Sequence, residues 1–318
     1  MEAVSSKKTG YAKDQLRIVF MGTPDFAVAS LKILVENDYN IVGVITSTDK
    51  LGGRGKKRLL ESDVKKYARE QGLKILQPKN LKAPEFLDEL KALEAHLQII
   101  VAFRMLPEVV WNMPPIGTFN LHGSLLPKYR GAAPINWAVI KGEKETGVTT
   151  FFLKHEIDTG DMLFQESLPI GENETAGELY DRMKELGAAV VLKTVQAIIA
   201  DDYELQRQDD ALVTKAPKIY HDTCEIDFNR PTQTVHDFIR GLSPYPTAWT
   251  TFDGQKLKIF KTTKELTEHE LAPGTFTSDN RKYLKIATTD GYVQVHELQL
   301  QGRKRMPVQA FLNGVKIE

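Results

Sequence analysis

Between residues 16 and 205 the chain alternates two hydrophobic rhythms. Short, mainly apolar runs appear at LRIVFMG (16–22), IVGVITS (41–47), LKIL (73–76) and LQIIVAF (97–103), and GTFNLHG (117–123) reads as a further strand. Runs of this length without polar alternation predict strands buried on both faces. Between them, apolar residues recur at spacings of three and four, which predicts amphipathic helices. One opens after Thr23 as N-cap with Pro24 as its first residue, and buries Leu31, Leu34 and Val35. Another covers SDVKKYAREQG (62–72), capped by Ser62 and stopped at Gly72. APEFLDELKAL (83–93) and APINWAVIKGE (133–143) continue the series, and residues 175–200 form a long helix with Leu179, Met183, Leu186 and Val190 on its buried face. GVTTFFL (147–153) and DMLFQESLPI (161–170) have no helix between them and predict an antiparallel pair at one side of the sheet. The expected class is α/β, with a Rossmann-like, mostly parallel sheet.

After about residue 205 the texture changes. AWTTF (248–252), LKIFKTT (257–263), YLKIAT (283–288) and YVQVHEL (292–298) are short strand-like runs between Gly, Pro and Asp turns. They predict a small C-terminal β-barrel. The expected organisation is a disordered lead-in at 1–15, an α/β domain at 16–205, a polar linker at 206–220 and the barrel at 221–318. No apolar run reaches the roughly 18 residues that span a bilayer. The polar N-terminus lacks the apolar core of a secretory signal, and the lone Cys224 fits a reducing compartment, so a cytoplasmic location is expected. Lys+Arg and Asp+Glu both number 42, so no global basic field draws nucleic acid to this chain.

Candidate chemistry centres on FNLHGSLLPKYRG (119–131). Asn120 and His122 share one face of a strand and sit at its C-terminal end, beyond which open parallel sheets bind ligands. KHEIDTGD (154–161) offers a carboxylate that could orient the imidazole: Asp158 or, equally from sequence, Asp161. A buried, satisfied histidine beside an Asx-turn is the bland reading of the same residues. An amide that donates to an oxyanion and a histidine that moves a proton suit direct acyl transfer between two bound substrates. Ser124 lacks the G-x-S-x-G elbow of a covalent nucleophile and reads as a turn residue. No cluster with metal-ligand spacing appears, and no metal is expected.

HGSLLPKYRGAAPINWA (122–138) and GVT with IDTGDML (157–163) resemble the signature of the 10-formyltetrahydrofolate-dependent formyltransferases. VFMGTPDFAVASL (19–31) and LSPYPTAW (242–249) extend the likeness across nearly all of residues 16–318. The resemblance implies an α/β catalytic domain followed by an OB-like barrel that contacts tRNA. It places the catalytic trio on Asn120, His122 and Asp158, and the folate-binding segment on Ser124, Leu125, Leu126 and Pro127. Phe103 and Leu106 fall on a wall of the folate pocket, where Arg104 departs from the small residue the family often carries. The combination of motifs implies formylation of the α-amine of methionine on initiator methionyl-tRNA, with 10-formyltetrahydrofolate as co-substrate and no metal.

LGGRGKKRL (51–59) is a Gly-rich basic stretch that does not satisfy the P-loop pattern. By resemblance it is the insertion that closes over the acceptor end of tRNA, with Arg54 at its centre; Lys56, Lys57 and Arg58 could neutralise phosphates. A solvated loop is the ordinary alternative. Two other functions fit the pattern less well: formylation of a nucleotide-sugar amine, and non-catalytic RNA binding. The protein is expected to act as a monomer.

Overall fold

The structure is a computed structural model that describes residues 10–52 and 58–317. The first elements in chain order are β1 (Ile18–Gly22), α1 (Asp25–Glu36), β2 (Ile41–Ile45), β3 (Lys50–Gly52), β4 (Arg58–Leu60), α2 (Asp63–Glu70), β5 (Ile75–Leu76), α3 (Pro84–Lys91), β6 (Leu97–Val101) and α4 (Glu108–Trp111). Next come β7 (Gly117–His122), β8 (Arg130–Gly131), α5 (Pro134–Ile140), β9 (Glu145–Phe152), β10 (Met162–Pro169), α6 (Ala176–Ala200) and β11 (Lys215–Ala216). The remainder is α7 (Thr232–Gly241), β12 (Ala248–Phe252), β13 (Gln255–Leu266), β14 (Phe276–Ser278), β15 (Leu284–Ala287), β16 (Gly291–Leu300), β17 (Met306–Pro307) and α8 (Val308–Leu312).

The chain divides into two compact units that interleave along the sequence. One comprises residues up to Arg130, Gly147–Ser167 and Asp181–Thr214; the other comprises Gly131–Thr146, Leu168–Tyr180 and the chain from Lys215. Much of the expected linker therefore packs within the first unit, where Gln208 is buried and Gln206 bridges Met162 of β10.

The first unit is built on a seven-stranded sheet ordered β10-β9-β7-β6-β1-β2-β5. β1 pairs in parallel with β2 and β6, β2 with β5, and β6 with β7. β9 then runs antiparallel to β7, with β10 as the edge strand beside it. β1 is central, and Ile18, Val19, Phe20 and Met21 have no exposed surface. Each side chain so buried contributes about 1.5–3 kcal/mol, which is why this run carries no polar alternation. Ser62 caps α2 by accepting from the Lys65 amide at 3.1 Å, and Gly72 closes the turn behind it with φ +66°. The start of α1 is one residue later than expected: Pro24 is the N-cap, and no side chain caps this helix. α6 packs along the sheet through Thr194, whose hydroxyl meets that of Thr150 on β9 at 2.9 Å.

Residues 10–15 were expected within the disordered lead-in, but they are held. The Tyr11 ring stacks on His96 at 4.0 Å and the Lys13 ammonium sits over the Tyr39 ring. Residues 1–9 of that segment lie outside the described residues.

The second unit carries an antiparallel sheet ordered β12-β13-β16-β15-β14, with β17 on β16. β13 and β16 form its long spine, paired from Leu257↔Leu300 to Leu266↔Gly291. Ile239 of α7, Leu257, Ile259, Ile286, Val295 and Phe311 are fully buried in its core. The pairing is an open path whose end strands β12 and β14 meet through the rings of Phe252 and Phe276, 5.2 Å apart. What the structure establishes is a curled antiparallel sheet; the closed barrel that was expected is not described by its hydrogen bonding.

Candidate active site

β7 ends the parallel part of the first unit's sheet. Its backbone pairs with β6 on one side (Ile100↔Asn120) and with β9 on the other (His122↔Thr149). Alternation along β7 puts Asn120 and His122 on the same face. Asn120 is half-buried, and among the described residues its carboxamide has no hydrogen-bond partner. That leaves its N–H groups available to a ligand.

His122 is 6 % exposed. Its Nε2 lies 2.9 Å from the carbonyl oxygen of Tyr129. A carbonyl only accepts, so Nε2 carries the hydrogen, and in the neutral ring Nδ1 holds the lone pair. Nδ1 is 3.8 Å from Asp158 Oδ2, a side chain 12 % exposed. That separation exceeds a hydrogen bond but is an ion-pair distance once the ring is protonated. Of the two aspartates, Asp158 is the one whose carboxylate lies within 4 Å of the imidazole. Asp158 faces the imidazole, whereas Asp161 is engaged by the Lys154 ammonium at 2.8 Å.

Two residues at this point adopt a left-handed backbone: Tyr129 (φ 60°) and Asp158 (φ 57°). Non-glycine residues in such conformations cost of order 1–3 kcal/mol and persist where their surroundings hold them. The Tyr129 amide donates to Thr214 Oγ1 at 2.8 Å. The carbonyls of Asp158 and Gly160 both accept from Gln208 Nε2 at 2.8 Å. Gly160 itself is required by close approach, because a Cβ there would lie 1.6 Å from the Phe152 carbonyl oxygen. Gln208, Arg130, Tyr129 and Thr214 were not singled out from the sequence. Gln208 reads there as one polar residue of a linker, and no local pattern distinguishes it.

The segment 124–127 follows directly. Ser124 is fully buried, and its hydroxyl donates to the Lys128 carbonyl at 2.6 Å, so it closes the loop. Leu126 and Pro127 are buried and Leu125 is half-buried. Thr149 Oγ1 donates to the Ser124 carbonyl (2.7 Å) and accepts from the Leu126 amide (3.1 Å). Gln165 Nε2 donates to the Leu126 carbonyl at 2.7 Å. Of the wall after β6, Phe103 is half-buried and Leu106 is 8 % exposed. Arg104 extends over the Phe103 ring at 5.7 Å and donates to the carbonyls of Pro78 and Lys79. Its charge is therefore turned to the loop after β5.

Arg54, Lys56 and Lys57 lie outside the described residues. Arg58 is exposed on β4, which pairs with β3 in a two-stranded ribbon bearing exposed Leu51, Leu59 and Leu60. A cleft of about 750 Å³ lies elsewhere, between edge strand β10 and residues 201–206. Cys224 is buried, and burial pushes its thiol above the usual range. Among the described residues no group of His, Cys, Asp and Glu could hold a metal ion, and no helix is long and apolar enough to cross a membrane.

Comparison with known proteins adds three findings. Residues 16–195 match the formyl transferase family, and residues 218–316 match the formyl transferase C-terminal domain. The methionyl-tRNA formyltransferase of Parabacteroides distasonis is 53% identical over 314 residues, 96% of this chain and 97% of that one. The enzyme of the same name from Phocaeicola vulgatus is 54% identical over 315 residues, again 96% and 97%. Among solved structures, the N-formyltransferase of Helicobacter canadensis, complexed with folinic acid and dTDP-3-aminofucose, superposes with a TM-score of 0.68 at 24% identity, covering 91% of this chain and 99% of that one. HypX from Aquifex aeolicus in complex with tetrahydrofolic acid gives 0.64 at 20% identity, covering 95% and 48%. At these identities the structural likeness speaks for the fold alone.

Proposed function

Because the chain belongs to the formyl transferase family, we propose that it moves the formyl group of 10-formyltetrahydrofolate to the α-amine of methionine on initiator methionyl-tRNA. The observation that carries this reading is identity above one half, along almost the whole chain, to relatives bearing the name methionyl-tRNA formyltransferase.

In the mechanism we infer, the neutral amine attacks the formyl carbon. The new C–N bond leaves negative charge on the formyl oxygen and an extra proton on the attacking nitrogen. Asn120, whose amide is otherwise unengaged, donates to that oxyanion. His122 Nδ1 takes the proton, since Nε2–H is committed to the Tyr129 carbonyl. Asp158, beside Nδ1, stabilises the imidazolium. The intermediate collapses as the bond to folate N10 breaks. N10 keeps the electron pair and receives the proton, releasing tetrahydrofolate and formylmethionyl-tRNA.

The folate reading of Ser124, Leu125, Leu126 and Pro127 rests on resemblance, and Ser124 serves it through the backbone, as its side chain is buried. Phe103 and Leu106 supply apolar surface of the kind a pterin ring needs. Arg54, Lys56, Lys57 and Arg58 are proposed to meet tRNA phosphates, and the C-terminal unit is read as an OB-like platform for the same RNA. A cytoplasmic monomer completes the reading; the lone cysteine, Cys224, fits a reducing compartment.

Formyl transfer from 10-formyltetrahydrofolate to charged initiator tRNA, run beside an amino sugar nucleotide, tests the substrate. Asn120→Ala and His122→Ala should each slow transfer to tRNA by about 10²–10³ while the fold survives. Turnover near wild type in either variant would remove that residue from the chemistry.

A further inference from the structure

We propose that Gln208 and Arg130 are positioning residues of this reaction, forming a guanidinium–amide clamp that holds Asp158 against His122. The proposal rests on the reading that His122 and Asp158 handle the proton.

All the groups involved belong to the first compact unit. Gln208 is 5 % exposed. Its Nε2 donates to the carbonyls of Asp158 and Gly160, both at 2.8 Å. Its Oε1 accepts from Arg130 Nε at 3.0 Å and Nη2 at 2.8 Å. Both amide hydrogens and both oxygen lone pairs are thereby used, the full capacity of the group. The guanidinium also fixes which way the amide points. A flipped amide would set its oxygen against two carbonyls and its NH2 against a cation. Arg130 thus determines that Gln208 presents hydrogens to the Asp158 turn.

The turn needs holding. Asp158 is left-handed at φ 57°, a conformation that non-glycine residues leave when their contacts are lost. The same short segment also grips the other half of the pair. Thr214 accepts from the Tyr129 amide through its hydroxyl and from the Arg130 amide through its carbonyl, at 2.8 and 2.9 Å. Tyr129, left-handed at φ 60°, then turns its carbonyl onto His122 Nε2. One stretch, 208–214, therefore sets the imidazole through Thr214 and the carboxylate through Gln208. Asp210 meets the exposed side of Arg130 at 3.2 Å, but its side chain is 78 % exposed, and such a pair holds little.

A misplacement of about 1 Å at a reacting group costs on the order of 10² in rate. In the full-length protein, Gln208→Leu should lower kcat by about 10–100-fold and leave KM for 10-formyltetrahydrofolate and for methionyl-tRNA within about threefold. Gln208→Glu keeps the shape and the arginine pair but sets acceptors against the two carbonyls, so it should be as slow as the leucine variant. Arg130→Met should lower kcat by about 5–20-fold, and it carries the test if Gln208 variants do not fold. The deciding measurement is the double-mutant cycle with Asp158→Asn. If the clamp acts through Asp158, Gln208→Leu or Arg130→Met added to Asp158→Asn should change kcat by less than about twofold. Additive losses, unchanged kcat in the single variants, or equal rises in both KM values would overturn the clamp. Wild-type turnover in Asp158→Asn alone would instead remove the proton-handling reading on which it rests.

Discussion

Two buried histidines show how much a few contacts decide. His122 binds a carbonyl through one nitrogen and faces a carboxylate with the other. His236 on α7 has no exposed surface. Its Nδ1 meets Thr262 Oγ1 at 2.9 Å, and its Nε2 has no hydrogen-bond partner. Burial, with the nearby Arg240 charge second, pulls its pKa down to about 4. The Asp237 charge and the Glu172 backbone oppose the shift and the Lys264 charge adds to it; Asp237 is itself bonded to Arg240 at 2.6 Å. A histidine depressed in the folded state takes up its proton first in the unfolded chain. Its contribution to stability is therefore whole above pH 6.5 and drains away as pH falls toward about 4. At 1.36 kcal/mol per unit the loss is about 3 kcal/mol across that window. Denaturant unfolding at pH 7 and pH 4.5 should show a steeper loss for the native chain than for His236→Gln; equal slopes would deny His236 this role.

At the scale of elements, the loop after β7 owes its shape to strands that follow it. Thr149 on β9 is the cross-strand neighbour of His122 and also grips the Ser124 carbonyl and the Leu126 amide. Gln165 on β10 holds the Leu126 carbonyl. Thr149→Val keeps the volume but leaves a buried carbonyl and a buried N–H unpaired. An unsatisfied buried group costs about 1–3 kcal/mol, so the variant should unfold at clearly lower denaturant. Its KM for 10-formyltetrahydrofolate should rise, whereas Thr149→Ser should restore both values toward wild type. A valine variant with unaltered folate KM would separate this loop from folate binding. The loop after β6 has a similar fastening, as Arg104 ties it to Pro78 and Lys79.

For the whole molecule, charge is the informative quantity. With 42 cations balanced by 42 acidic residues, attraction to tRNA must be local. Each phosphate neutralised adds about 0.9 to the slope of log affinity against log salt for duplex DNA, and a comparable amount is expected for duplex RNA. Neutralising Arg54, Lys56, Lys57 and Arg58 together should flatten the slope for methionyl-tRNA by up to about 3 to 4. A slope that does not move would place the RNA elsewhere on the protein. The sheet order matters at this scale as well. β7 is where parallel pairing gives way to antiparallel pairing, and His122 stands at its C-terminal end. The strand order reverses between β1 and β6, where the C-terminal ends of an open sheet leave a crevice for a ligand, and β7 is the next strand beyond β6.

The parallel strands, the Ser62 cap and the pairing of Asn120 with His122 on one face were legible because each depends on neighbours a few residues away. Strand period, helix period and side-chain capping are local physics, and the amino-acid order suffices to state them. The nearness of Asp158, rather than Asp161, to the imidazole, the hydrogen on Nε2, the hold of Gln208 on a strained turn and the outward path of Arg104 had no such signal. The hydrogen on Nε2 is set by a carbonyl seven residues on, turned inward by a left-handed residue, and the others by groups about 25 to 50 residues away, brought close only by folding. A linker glutamine becomes a clamp when packing removes water and leaves two carbonyls with one amide to satisfy them.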